Sequence, residues 1–218
     1  MNNEQRDTRR RRSDGEESRR RILEAAAQIA SERGYEGTSI GAVSTRSGLP
    51  ASSIYWHFAD KDELIAAVIE SSFQRWLTAM TLPGAEAGPG DERVRAMCVT
   101  VARALLDSPD FLRLGLMLSL ERRPDELTAR TKFLQVRRIA RDRVVAAVRE
   151  LAPQLAEPSV QLLATYALAG GDGLFIAREI DGDQVDLVAL FELHARLLFD
   201  AVTHELTSAP INDTLEQT

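Results

Sequence analysis

Between Ala51 and His57 the chain reads Ala-Ser-Ser-Ile-Tyr-Trp-His. In a short helix this run buries Ile54 and turns Ala51, Ser52, Tyr55 and Trp56 outward, with His57 at the end. Hydroxyls and aromatic edges at that spacing can reach phosphates and base edges. The small residues let a backbone approach a groove. That is the chemistry of reading a duplex. A polar short helix can equally be a solvated face, and Tyr55 can be a packing residue. Trp56 beside it cannot share the same buried face.

No constellation for covalent chemistry accompanies it. The sequence has no Glu-x-x-His motif, no Asp-rich metal motif and no glycine-rich phosphate loop, so an enzyme is not expected. Three histidines and one cysteine leave little material for structural zinc, and no cofactor is expected. Asp200 and His204 stand one turn apart, but a pair without further ligands reads as a surface contact. Cys98 cannot form an internal disulfide and reads as a small buried residue, which fits a reducing cytoplasm.

The formal charge of −6 points away from nucleic acid until it is located. Residues 1–60 hold ten Arg and no Lys against nine acids, and the remainder of the chain is acidic. Eight of those ten arginines lie between Arg6 and Arg21, so the basic charge sits at one end. The N-terminal stretch has no apolar h-region and is not a secretory signal. No run approaches 18 consecutive apolar residues, so no membrane is expected as a partner.

These residues need elements to position them. Ile22, Leu23, Ala26, Ile29 and Ala30 recur at helical spacing and Gly34 stops that helix. Thr38 or Ser39 starts a short helix that Gly48 ends, and a second short helix runs from about Pro50 to His57. Ile22, Ile29, Ile40, Val43, Leu49, Ile54 and Phe58 would form one small core. Neither short helix is stable without such packing. Asp60, with Glu63 three residues on, caps a following helix through Met80. Pro83–Asp91 is a loop, and helical segments continue over 94–106, 111–120, 127–151, 160–180 and 185–206. The expected fold is all-α, with roughly nine helices. It divides into a disordered basic arm (1–17), a three-helix head (18–62), a helical domain (63–206) and a loose tail (207–218).

Residues 38–65, TSIGAVSTRSGLPASSIYWHFADKDELI, resemble the DNA-binding segment of TetR-family helix-turn-helix regulators. The matching features are Thr38, the Gly48-Leu49 turn, Ser53-Ile54-Tyr55, the aromatic run ending in Phe58, Lys61 and Glu63-Leu64. The first helix, closing on Gly34-Tyr35, matches too. The resemblance implies that Thr38 and Ser39 donate to phosphate, that Tyr55, His57 and Lys61 contact backbone phosphates, and that Ala51, Ser52 and Trp56 face base edges. Ser53 becomes a phosphate or base contact. Gly41, Ala51, Ser52 and Ala59 depart from common family residues, which concerns the operator sequence rather than the docking mode. An arginine arm before residue 21 would offset the lost contacts by reaching a neighbouring minor groove.

The resemblance further implies a ligand-binding domain whose last two helices dimerise. Both carry wide apolar faces, and Leu163, Ala167, Leu174, Leu187, Phe191, His194, Leu198 and Val202 are the expected dimer residues. The rival reading is internal core. Gly170, Gly171 and Gly173 suggest close helix approach or a kink. Phe73, Trp76, Met80, Met97, Phe111, Met117, Phe133 and Tyr166 are candidate pocket residues for an apolar or aromatic effector, with Arg103 or Asp172 as polar anchor. Each of these is more often plain core. The expected function is a cytoplasmic, homodimeric repressor that leaves a near-palindromic operator when an unknown small molecule binds. The alternatives are an effector-independent DNA-binding protein or activator, and, from another class, a small all-α enzyme or adaptor.

Overall fold

The computed structural model describes residues 3–120 and 128–208. Among them there is no strand, and nine α-helices follow in order: α1 (Asn3–Arg33), α2 (Ile40–Ser47), α3 (Ala51–His57), α4 (Lys61–Ala79), α5 (Gly90–Asp107), α6 (Asp110–Leu120), α7 (Thr128–Leu151), α8 (Glu157–Asp181) and α9 (Leu187–Ser208). The all-α expectation holds, and so do most boundaries. The expected break near Pro124 and the tail from residue 209 lie outside the described residues.

The chain packs as two compact units, one of residues 1–75 with 108–136, the other of 76–107 with 137–218. Packing therefore does not follow the expected break at 62–63, because α4 and α7 each contribute to both units. In the first unit Ile22, Ile29, Val43, Ile54, Leu64, Ile65 and Leu114 are buried together with Phe73 and Phe111. The two phenylalanine rings meet edge to face at 5.9 Å. Ile40 and Leu49, expected in this core, are only half-buried. Gly115 lies under the ring of Phe133, where any Cβ would collide, so α6 and α7 approach closely at that point.

The largest departure is α1. Residues 3–17, expected to be irregular, are the first half of a 31-residue helix. The expectation rested on missing apolar periodicity, which reports burial, not helicity. Arg and Glu are good helix formers, and Arg20 pairs with Glu17 and Glu24 one turn away on either side.

In the second unit α5 buries Val94, Cys98, Val101, Ala102 and Leu105, one continuous helical stripe. Burial pushes the Cys98 thiol up to about 12, which keeps it protonated and inert. Arg93, nearly buried, donates to the Pro83 carbonyl at 2.7 Å and pairs with Glu150. α8 is one unbroken helix through its glycines. Only Gly170 serves a close approach: a Cβ there would strike the His194 ring, whose Nε2 meets the Ala167 carbonyl at 3.0 Å. Between α8 and α9 the chain reverses over Gly182–Gln184, where Arg178 donates to the carbonyls of Gly182 (2.6 Å) and Val185 (2.9 Å).

Candidate nucleic-acid interface

The second half of α1 packs with α2 and α3 into a small head. Ser39 caps α2, its Oγ accepting from the Ala42 N–H at 3.2 Å, which leaves its own proton to donate outward. Gly48 ends α2 at φ 67°, a left-handed conformation in which a side chain is strained. The turn it makes is tied down: Ser44 donates to the Leu49 carbonyl at 2.7 Å and Arg21 to the Ser47 carbonyl at 2.6 Å. From that fixed turn α3 runs for seven residues. Ile54 is fully buried, and Phe58 closes the helix from the inside.

Burying Ile54 decides where the rest of α3 points. Tyr55 is 57% exposed and Trp56 76% exposed. Ser52 is exposed, while Ala51, Ser53 and His57 are half-buried. The structure thus brings Ser52, Tyr55 and Trp56 together on one outward face, as expected. His57 stacks edge-on against Trp56 at 4.5 Å. Burial, and secondarily the charge of Arg19, holds its imidazole below the usual histidine range, so at neutral pH it is an uncharged donor.

Asp60 accepts from the Glu63 N–H at 2.8 Å, and Glu63 accepts in return from the Ala59 N–H at 2.6 Å. This is the reciprocal cap expected for α4. Asp62, one residue past Lys61, also reaches another element. It accepts from the N–H groups of Thr128 (2.6 Å) and Ala129 (3.2 Å) at the start of α7 and from the Tyr35 hydroxyl (3.3 Å). No sequence signal links Asp62 to residues more than sixty positions away.

Two expected phosphate donors are placed otherwise. Thr38 is 1% exposed and donates its hydroxyl to the Gly34 carbonyl at 2.9 Å. It locks the turn after α1 and faces away from solvent. Lys61 lies over the Tyr35 ring at 4.2 Å, with Nζ 3.4 Å from the Tyr35 carbonyl and 3.5 Å from Glu36. Its charge is turned toward the α1–α2 connection. Sequence reasoning missed Arg19, whose guanidinium sits 5.5 Å from the Phe58 ring, beside the end of α3.

The expected dimer residues need correction. Leu163, Leu187, Phe191, His194 and Val202 are buried within their own protomer, and Ala167, Leu174 and Leu198 are half-buried. The faces left to solvent are one residue around: Leu162, Tyr166, Ala169, Gly173, Ile176 and Ile180 on α8, and Leu193 and Leu197 on α9. Leu162 is 66% and Ile180 76% exposed. The α8 positions recur at alternating steps of four and three, a spacing legible in the sequence. By length and composition this helix could cross a membrane. Its other face, however, buries Val160, Leu163, Ala164 and Phe175 within the unit, and Asp172 is held by Arg137.

The pocket candidates scatter. Phe73, Phe111, Met117 and Phe133 belong to the first unit, and Trp76, Met80, Met97, Arg103, Tyr166 and Asp172 to the second. Phe73, Trp76, Met80, Phe111 and Phe133 are buried core. Met97 is half-buried, whereas Met117, Tyr166 and Arg103 are exposed. Met117 covers Gly34 at the end of α1. Asp172 has both carboxylate oxygens engaged by Arg137, so it is not a vacant anchor. Among the described residues no cluster of three or more metal-ligating side chains occurs.

Residues 22–68 match the family model described as bacterial regulatory proteins, tetR family. The chain is 36% identical over 59 residues to the HTH-type transcriptional regulator AcrR of Shigella flexneri, covering 27% of each chain. It is 29% identical over 111 residues to the HTH-type transcriptional repressor AcnR of Corynebacterium efficiens, covering 50% of this chain and 52% of that one. These matches span between about a quarter and about a half of the relatives' lengths. The fold extends further: the regulator FadR of Bacillus subtilis, solved in complex with stearoyl-CoA, superposes with a TM-score of 0.66 at 18% identity, covering 83% of this chain and 97% of that one. Over residues 22–68 the chain is therefore similar to bacterial regulatory proteins of the tetR family.

Proposed function

We propose that the protein is a transcriptional repressor that grips operator duplex DNA as a homodimer, with α3 as the recognition helix. The observation that carries this is the outward face of Ser52, Tyr55 and Trp56 on a seven-residue helix anchored by Ile54. Ser39, Ser53 and His57 add neutral donors around it, and Ala51 lets the backbone approach. Residues 18–62 act as the DNA-binding domain, and 63–206 as the effector and dimerisation domain. The partner surface is the exposed apolar stripe of α8 with Leu193 and Leu197 of α9. Copies related by a two-fold axis bury such a stripe against itself, and paired heads then read a near-palindrome.

The effector is proposed to be a small apolar or aromatic molecule that shifts the spacing of the heads. Only differential affinity for the two spacings can do so. Stearoyl-CoA, bound by FadR of Bacillus subtilis, supports an apolar ligand in kind. The site of action is the cytoplasm, where the DNA is. Selection of bound duplexes from a random pool tests the reading. A near-palindromic sequence should emerge, and recovery of no enriched sequence would refute it.

A further inference from the structure

The face of α9 that carries Leu193 and Leu197 also carries two opposite charges. At about 100° per residue, Asp200 lies within about 20° of Leu193 around the helix, and Arg196 within about 60°. Both side chains are exposed. The apolar stripe of α8, from Leu162 to Ile180 at every third or fourth residue, has no charge to offer them.

Neither charge is satisfied within the protomer. Arg196 and Asp200 are one turn apart, but with the cation first, the less favourable order for pairing along a helix. Glu192, one turn before Arg196 and in the favourable order, is taken by Arg95 of α5 at 2.6 Å. The other arginine of these two helices, Arg178, is held at the α8–α9 turn by the carbonyls of Gly182 and Val185 and by Asp183. Among the described residues no hydrogen bond or ion pair engages the side chain of Arg196 or of Asp200. In water that is no penalty. Under a second copy it is one: covering Leu193 and Leu197 also strips water from the charges beside them, and a covered charge without a partner is strongly destabilising.

The arrangement is self-complementary. In an isologous contact residue i meets j wherever j meets i. A two-fold axis beside Leu197 therefore sets each Arg196 against the partner's Asp200 and removes both deficits at once. We propose that Arg196 and Asp200 form two reciprocal ion pairs across that axis, fix the register of α9 against its copy, and restrict the partner to a second copy of this chain. This rests on the homodimer reading above and goes beyond it in naming the residues that choose the partner. Apolar area gives a dimer free energy but tolerates sliding and foreign apolar faces. A charge pair does not, because a partner lacking either charge leaves the other covered and unpaired.

The test is sedimentation equilibrium on the full-length chain and its variants, alone and mixed, with native mass spectrometry to identify mixed species. Arg196→Asp leaves two acids on the face and Asp200→Arg leaves two cations. Each alone should raise the dimer dissociation constant roughly 100-fold, about tenfold for each of the two like-charge contacts. Mixed one to one, they should recover near wild-type affinity as heterodimers, since every acid then faces an arginine. Neither single variant can form the pair along its own helix, so recovery in the mixture reports a contact across the axis and shows that both variants are folded. Arg196→Asp/Asp200→Arg in one chain should form homodimers and reject the wild-type chain. Single variants that dimerise as tightly as wild type, or a mixture no tighter than its components, would overturn the proposal and leave the homodimer standing. A wild-type chain that sediments as a monomer would overturn the homodimer reading itself.

Discussion

The outer faces of α3 and α8 both leave large side chains in water, and the two faces differ in chemistry. On α3 the aromatic pair Tyr55 and Trp56 stands beside Ser52 on a seven-residue helix, with a histidine at the end. On α8 Leu162, Tyr166, Ile176 and Ile180 repeat over about five turns, with Ala169 and Gly173 between them. A short mixed face matches a polar surface that offers phosphates and base edges. A long apolar stripe with small residues at its middle matches a second copy of itself. Exposure alone does not distinguish them. Length, spacing and the company of hydroxyls do.

Breaking the α8 stripe should have the larger effect. Ile176→Glu with Leu197→Glu places charges on the apolar face without touching the protomer core. Sedimentation should show monomers, and affinity for a palindromic duplex should fall at least about 100-fold, because a single head retains few contacts. Retained dimers would move the interface elsewhere. Breaking the α3 face comes next. Tyr55→Ala should weaken duplex binding roughly tenfold, a loss of about 1.4 kcal/mol, with the dimer intact by the same sedimentation measurement. The two faces are thereby separable.

Ile54→Ala attacks what aims α3 rather than what α3 presents. It should cost about 2 to 5 kcal/mol in denaturant unfolding of the head and abolish duplex binding along with it. A smaller effect sharpens the account of α4. Asp60→Ala removes the cap and should cost roughly 0.5 to 2 kcal/mol, read as a shifted urea midpoint.

The smallest effect is a pH dependence. Burial holds His194 below the ordinary histidine range, against the opposing hydrogen bond to Ala167. The unfolded chain therefore takes up this proton first as pH falls. Stability contributed by the neutral ring is present above the unfolded value and is lost on acidification through about 6.5 toward the lower folded value. His194→Gln should flatten the stability profile in that window, and an unaltered profile would show that the ring titrates alike in both states.

The head was legible in the sequence because its signals are local and independent. Gly48 had to end a helix, Asp60 and Glu63 had to cap one, and Ile54 and Phe58 were the only apolar residues able to face inward from α3. Which apolar face of α8 stays in solvent was not, and the reason is geometric. α8 is apolar at 163, 164 and 175 and again at 162, 166, 176 and 180, so two stripes about 100° apart both fit a helical period. Periodicity identifies a helix with two apolar faces but not which face the protomer keeps. Thr38 misled for a related cause: a hydroxyl at a turn satisfies a carbonyl as readily as a phosphate. The helical arm escaped because its arginines mark solvation, which a helix tolerates.

The central claim is that the outward face of α3 meets duplex DNA, and the chain contains its own reporters. It has two tryptophans: Trp56, 76% exposed, and Trp76, 6% exposed. Acrylamide quenching of the native protein should therefore report Trp56 almost alone. Adding the selected duplex should protect that emission in step with binding measured by anisotropy. Trp56 emission that stays fully quenchable while the duplex is bound would contradict the account.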